Sequence, residues 1–122
     1  MTTTTATSLV DRQVAGLNAG DVDEVTAIYA EDATLVVVSP HTLPGSELRL
    51  AGREKIVRHM QRVIDGGIAG VTLEWVGAGE GTLAWRDTGT VGRGKPFSEA
   101  HTAIVGSDGL IVEHWIHSVY ER

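Results

Sequence analysis

The sequence predicts an α+β domain in which helices come first and an antiparallel meander of strands follows. Three observations carry this. Two capped helical segments and a third amphipathic one occupy the chain up to Gly66-Gly67. After Gly70 the apolar pattern changes to β-branched strand runs. Glycine-rich turns, GAGEG, GRGK and GSDG, separate those runs. A length of 122 residues, 42% hydrophobic and 21% charged, is that of one globular domain. The domain is expected over residues 8–122, with the threonine-rich residues 1–7 as a flexible tail.

Ser8, with Asp11 in the third position, caps the first helix, and Leu9, Val10, Val14 and Leu17 recur at helical spacing until Asn18-Ala19-Gly20. Asp21 followed by Glu24 caps a second, short helix whose stripe is Val22, Val25, Ile28 and Tyr29. Ala33 to Val38 is a continuous apolar, β-branched run, the pattern of a strand buried on both faces. Ser39 to Leu50, with its prolines and Gly45, reads as a loop long enough to rim a pocket. Gly52 precedes a third helix with Ile56, Val57, Met60, Val63 and Ile64 on one stripe, ended by Gly66-Gly67. Strands are expected over Val71 to Val76, Thr82 to Val91, Phe97 to Val105 and Leu110 to Tyr120.

Composition narrows the function. Ten Lys and Arg against sixteen Asp and Glu leave a net charge of −6, which repels phosphate backbones and disfavours nucleic acid. No apolar run approaches the roughly 18 to 20 residues that cross a bilayer, so no membrane partner is expected. The absence of cysteine excludes disulfides, thiolate metal sites and a cysteine nucleophile. The segment MTTTTATS has neither the basic nor the apolar part of a secretory signal, which makes a cytoplasmic location the expectation.

Three segments in order, Tyr29-Ala30-Glu31-Asp32-Ala33-Thr34, Ala51-Gly52-Arg53-Glu54-Lys55-Ile56 and Asp108-Gly109-Leu110-Ile111-Val112-Glu113-His114-Trp115, resemble the nuclear transport factor 2-like superfamily. Within it the chain is most similar to the SnoaL-like polyketide cyclases, with ketosteroid isomerases and limonene epoxide hydrolases as relatives. The resemblance implies a cone-shaped fold: three N-terminal helices packed on a curved, mostly antiparallel sheet that encloses a pocket. It also implies a homodimer through the sheet and a small hydrophobic molecule in the pocket. One reaction does not follow, because this fold hosts enzymes and binding modules alike.

Period-two geometry divides each strand between the two faces of the sheet. Counted by similarity to the isomerase and hydrolase relatives, Ala84, Arg86 and Thr88, then Ser98, Ala100, Thr102 and Ile104, then Val112, His114, Ile116 and Ser118 face the pocket. Trp85, Asp87, Glu99, His101, Trp115 and His117 face outward. A shift of one residue exchanges the faces of a whole strand.

In this register His114 is the acid/base candidate, since imidazole both takes and gives a proton near neutral pH. Arg86 in a pocket needs a carboxylate or a carbonyl-bearing ligand, and Tyr29 offers a phenol to a ligand oxygen. Gln13, Val37, Met60, Ser98, Thr102, Ile116 and Ser118 are the expected lining. Each has a plainer reading: His114 as a hydrogen-bonded core histidine, Arg86 as an exposed residue paired with Glu74 or Glu80, Tyr29 as helix packing, Gln13 as part of a solvated face. Should the register shift, Asp87, His101 and His117 become the candidates, with His101 pairing to Asp87 or Glu99. Otherwise these residues, with Trp85 and Trp115, make a dimer face. His41 and His59 are expected in solvent. No metal and no cofactor are expected, because no histidine pair has ligand spacing within one helix and His114 and His117 lie on opposite strand faces.

The departures from the relatives matter as much as the matches. The cyclases continue EHW with an aspartate where this chain has Ile116. The isomerases carry an acidic base where it reads Leu35-Val36-Val37-Val38, and their oxyanion-hole tyrosine and aspartic acid fall near Gln13 and Ser98. The aspartate, arginine, aspartate set of the epoxide hydrolases corresponds here to Ala84, Arg86 and Ile116, so that mechanism fails unless a shifted register recruits Asp87. The expected function is therefore a cofactor-independent cyclase, isomerase or dehydratase using general acid–base chemistry on a carbonyl-rich, polyketide-like substrate. The alternative is a non-catalytic ligand-binding or dimerisation module.

Overall fold

A computed structural model of the chain describes residues 3–40, 42–43 and 45–120. Helix α1 spans Thr3–Ala19 and α2 spans Val22–Thr26. They are followed by β1 (Tyr29–Val38), β2 (Leu48–Ala51), α3 (Arg53–Asp65), β3 (Ala69–Gly79), β4 (Thr82–Val91), β5 (Lys95–Val105) and β6 (Ile111–Tyr120). The strands form one six-stranded sheet in the order β2-β1-β6-β5-β4-β3. Every neighbouring pair is antiparallel except β1 and β6, which run parallel. The α+β order is the one expected, with the meander from β3 to β6 in place. Among the described residues no helix is long and apolar enough to cross a membrane.

The turn from α1 to α2 is nearly without length because Gly20 takes φ +69°, a conformation glycine enters without strain, and Asp21 N–H bonds back to Gly16 O at 2.9 Å. The helices then approach so closely that a Cβ on Gly16 would lie 2.8 Å from Val25 N. Asp21 caps α2 by accepting from Glu24 N–H, as its spacing predicts.

Four boundaries differ from expectation. Helix α1 begins upstream of Ser8 and takes in Thr3 to Thr7, while residues 1–2 of the expected tail, and His41, lie outside the described residues. Helix α2 stops at Thr26, and Tyr29 opens β1 instead of completing a helical stripe. Pairing with β6 decides this: Ile111 N–H donates to Ile28 O at 2.8 Å, and Tyr29 sits opposite Ile111. Strand β2 overlaps the end of what reads as a loop, because its pairing of Thr34 to Val37 with Leu48 to Ala51 is a non-local contact that local pattern does not carry. Strand β3 begins at Ala69 and carries two register irregularities.

The largest correction concerns β4 and β5. Leu83, Trp85 and Asp87 on β4, and Phe97, His101 and Ala103 on β5, are buried against the helices, while Arg86 and Thr102 are exposed. Both strands therefore show the helices the face opposite to the one expected. The reason is apolar burial: the inward parity removes Leu83, Trp85 and Phe97 from water, whereas the other would bury Arg86 and expose the indole and phenyl rings. Strand β6 has the expected parity, with His114, Ile116 and Ser118 inward and His117 outward.

Candidate active site

A cavity of about 240 Å³ lies between α1, α3 and the inner face of the sheet. Its walls are largely apolar, from Leu17, Val37, Met60, Val63, Phe97 and Ile116. Its polar groups are Gln13, His59, Arg62, Glu99, His101 and Ser118. Of the expected lining, Gln13, Val37, Met60, Ile116 and Ser118 are there. Ser98 and Thr102 are not, because they lie on the outward parity of β5. His59, expected in solvent, is half-buried at the wall, and burial, with a smaller effect from Arg62, lowers its proton affinity.

Behind the wall runs a continuous buried hydrogen-bond chain. Gln13 Nε2 donates to Tyr29 Oη at 3.0 Å, and Tyr29 Oη lies 2.7 Å from His114 Nδ1. His114 Nε2 lies 2.9 Å from His101 Nδ1, and His101 Nε2 lies 3.2 Å from Asp87 Oδ1 and 3.6 Å from Glu99 Oε1. Valence gives the chain a direction. Tyr29 Oη already accepts from Gln13, so its own proton goes to His114 Nδ1. His114 then carries its proton on Nε2 and donates to His101 Nδ1. His101 carries its proton on Nε2 and donates to the carboxylates. Each link places a donor before an acceptor, which satisfies buried groups that would otherwise be costly.

Trp85 holds this chain from one side, stacked on His101 with ring centroids 4.5 Å apart and 5° between planes, and 4.9 Å from the His114 ring. Its indole N–H has no hydrogen-bond partner among the described residues. Cross-strand register assembles the acid end: Asp87 pairs with Glu99, and Trp85 with His101, across β4 and β5.

The chain tunes its members differently. His114, fully buried and beside His101, is held well below the usual imidazole range and stays neutral. Burial raises the Tyr29 phenol, against the opposing effect of the Gln13 hydrogen bond, so it remains a proton donor. Glu99, whose side chain keeps about 21% of its exposure, is pushed up to about 7 by burial, with His101 opposing and Asp87 reinforcing the rise. No Lys or Arg pairs with Asp87 or Glu99 among the described residues.

Of the residues expected to do chemistry, His114 and Tyr29 are thus fully buried behind the cavity wall rather than exposed in it. Arg86 is outside: its guanidinium contacts Ser98 Oγ at 2.8 Å and Glu74 Oε1 at 3.7 Å, the plainer of its two readings. His117 is exposed and stacks on Trp115. Asp87 and His101, candidates only for a shifted register, are central. Glu99, expected on the outer face as a partner of His101, lines the cavity instead, carried there by the apolar mass of Leu83, Trp85 and Phe97 on the same parity. Asp87, Glu99 and His101 also bring one ligand atom each within 4.8 Å of one another, the group here that could hold a metal ion. Spacing within one helix does not reveal it, because two strands supply it.

A larger hollow of about 720 Å³ lies on the outer face of the sheet and includes Ala84, Thr102, Ile104, Trp115 and His117. Its titratable residues, Glu113 and His117, are not buried and join no such chain.

A curved sheet closed by three helices over a polar-floored cavity is the nuclear transport factor 2-like architecture. The sequence pattern of the SnoaL-like domain matches residues 10–114, and the chain belongs to that family. No curated protein matches the chain. Among solved structures, a provisional ketosteroid isomerase from Kribbella flavida shares 21% identity over 100% of this chain and 82% of its own, at a TM-score of 0.75. A SnoaL-like protein of unknown function from Burkholderia thailandensis shares 21% identity over 100% and 99% of the two chains, at 0.74. An LEH-like epoxide hydrolase from M. tuberculosis shares 21% over 99% and 86%, at 0.72. At this identity the likeness establishes the fold.

Proposed function

We infer that the inner cavity is an active site for general acid–base chemistry on a hydrophobic carbonyl compound, of the isomerase, cyclase or dehydratase type. The observation that carries this is Glu99: a carboxyl group facing an apolar cavity, with its proton affinity raised to about 7 and no cation to quench it. A base titrating near the working pH couples availability to driving force.

As a carboxylate, Glu99 removes a proton from the carbon beside a carbonyl. The C–H electron pair becomes the enolate double bond, and the carbonyl π pair moves to oxygen. Gln13, on the same cavity, keeps one amide proton beyond the one given to Tyr29 and is the neutral donor available to that oxygen, while the Ser118 hydroxyl, donated to Val38 O over a long 3.5 Å, joins it by turning from that carbonyl. Return of the proton from Glu99 to a different carbon shifts the double bond. Attack of the enolate carbon on a second carbonyl of the same molecule closes a ring, with the proton passing to the new alkoxide. Asp87 acts through His101, whose Nε2–H it holds toward the acid end. A polyketide-like substrate is the form of this reading that the SnoaL-like resemblance favours. The aspartate, arginine, aspartate set does not assemble, because Asp87 turns inward while Arg86 turns out, so epoxide opening by that route is not proposed. A homodimer through the outer sheet face, with Ile104 46% exposed in its hollow, belongs to the same proposal, and sedimentation analysis tests it.

The test is deuterium exchange in D₂O, followed by NMR, with a panel of enolisable ketones. Enzyme-dependent exchange that Glu99→Gln slows by about 10²- to 10⁴-fold is expected. Exchange unaffected by Glu99→Gln overturns the assignment. Ligand-induced melting shifts with no exchange point instead to a binding module.

A further inference from the structure

The cavity also constrains what it takes, and this inference rests on the acid–base reading above. At about 240 Å³ the cavity lies below the roughly 300 to 1,000 Å³ of sites for drug-sized ligands, which favours a compact ligand over a fused tetracycle. The space is bounded by the sheet, by Leu17 of α1 and by Met60 and Val63 of α3.

Polarity is divided as sharply as space. At the sheet side stand Glu99 and His101, with Asp87 buried behind them and no cation paired to either carboxyl group. A carboxylate or phosphate placed there would meet like charge, so the reacting end of the ligand must be uncharged. On the α3 side Arg62 is the single permanent cation among the lining residues. Arg62 forms no salt bridge with any described carboxylate, and its neighbour His59 is held toward the neutral form. In a chain of net charge −6, an anion is drawn to such a cavity only by a local cation.

We propose that the site takes a single-ring or short open-chain keto acid, its ketone at Glu99 and its carboxylate at Arg62. The reaction with such a compound is the enolisation already written: a proton leaves the carbon beside the ketone for Glu99, and the carboxylate takes no part in bond making or breaking.

Three probes test this on the intact protein: 4-oxocyclohexanecarboxylate, its methyl ester and a tetracyclic steroid enone. Affinity is read by titration calorimetry and exchange by NMR in D₂O. The keto acid should bind about fivefold more tightly than its ester, the order of an exposed ion pair, and the tetracycle should not bind. Arg62→Gln should bring acid and ester to equal affinity. Glu99→Gln should keep the acid's binding and stop its exchange. Tighter binding of the tetracycle, or an acid-to-ester ratio unchanged by Arg62→Gln, overturns the ligand class. Arg62-dependent binding without exchange in the unsubstituted protein supports the ligand class and overturns the acid–base reading. Exchange of neutral ketones without regard to Arg62 does the reverse.

Discussion

Tyr29→Phe is the sharpest probe of the buried chain. The substitution removes one oxygen that accepts from Gln13 and donates to His114, at 3.0 and 2.7 Å, and leaves the ring in place. Two buried polar groups lose their partner, at about 1 to 3 kcal/mol each when no water replaces it. Gln13 borders the cavity and can find water there, so the total expected is about 2 to 4 kcal/mol. For a domain of this size that lowers Tm by about 8 to 15 °C. The more telling effect is on tautomers. The phenol donates to His114 Nδ1 only while that nitrogen carries no proton, so it holds the His114 proton on Nε2, where it is donated to His101 Nδ1. Phenylalanine removes that constraint and opens the Nδ1-protonated form of His114. Long-range ¹⁵N–¹H NMR reads both histidine tautomers. Protons on Nε2 of both histidines in the unsubstituted protein, and a share of Nδ1-protonated His114 in Tyr29→Phe, are the expected results. A proton on Nδ1 of His114 in the unsubstituted protein, the signature of a reversed Gln13 amide, would refute the reasoning.

Further outcomes follow from the same geometry. Because folding raises the Glu99 proton affinity from an ordinary 4.5 to about 7, the folded form binds more protons across that window; stability from this group is full below about 4.5 and declines as pH rises through about 7. The decline is about 3 kcal/mol at most, and the difference between Glu99→Gln and the unsubstituted protein in thermal melts from pH 5 to 8 should show it; parallel curves would contradict it. His114 has the opposite sign: its depressed proton affinity costs stability as pH falls below about 6.5, so His114→Gln should flatten the acid limb in denaturant titrations at pH 4 to 6.5. Arg86→Ala, on the exposed face, should change stability by no more than about 0.5 kcal/mol and leave deuterium exchange intact. Gly16→Ala should cost about 1 to 3 kcal/mol in chemical denaturation, since its methyl group meets Val25 backbone nitrogen at 2.8 Å, which only a shift of α2 relieves.

The order of elements, the capped turn between α1 and α2, the third helix and the four-strand meander are local properties, and they were legible. Asp21 caps because its side chain reaches Glu24 N–H, and β4 runs over the expected Thr82–Val91. His114 and Ser118 share the inner face of β6 with Ile116 by period-two alternation, and Gln13 is buried at the cavity wall rather than on the solvated face its helix position also allows. Strand β2 and the start of β1 at Tyr29 were not legible, since each depends on a partner strand distant in sequence.

The sequence by itself determined the fold class, the helical stripes and a chain rich enough in histidine and carboxylate to build an acid–base site. Only the tertiary structure decided which face of β4 and β5 looks into the cavity. That parity turns on one residue of register, and it was settled by the burial of Leu83, Trp85 and Phe97 together. With it, Asp87, Glu99 and His101 moved from an expected outer face to the cavity's side of the sheet, and Arg86 moved out. The coupling of Gln13, Tyr29, His114 and His101 likewise exists only once four separate elements meet, because the hydrogen bonds that order it join residues as far apart in sequence as Tyr29 and His114.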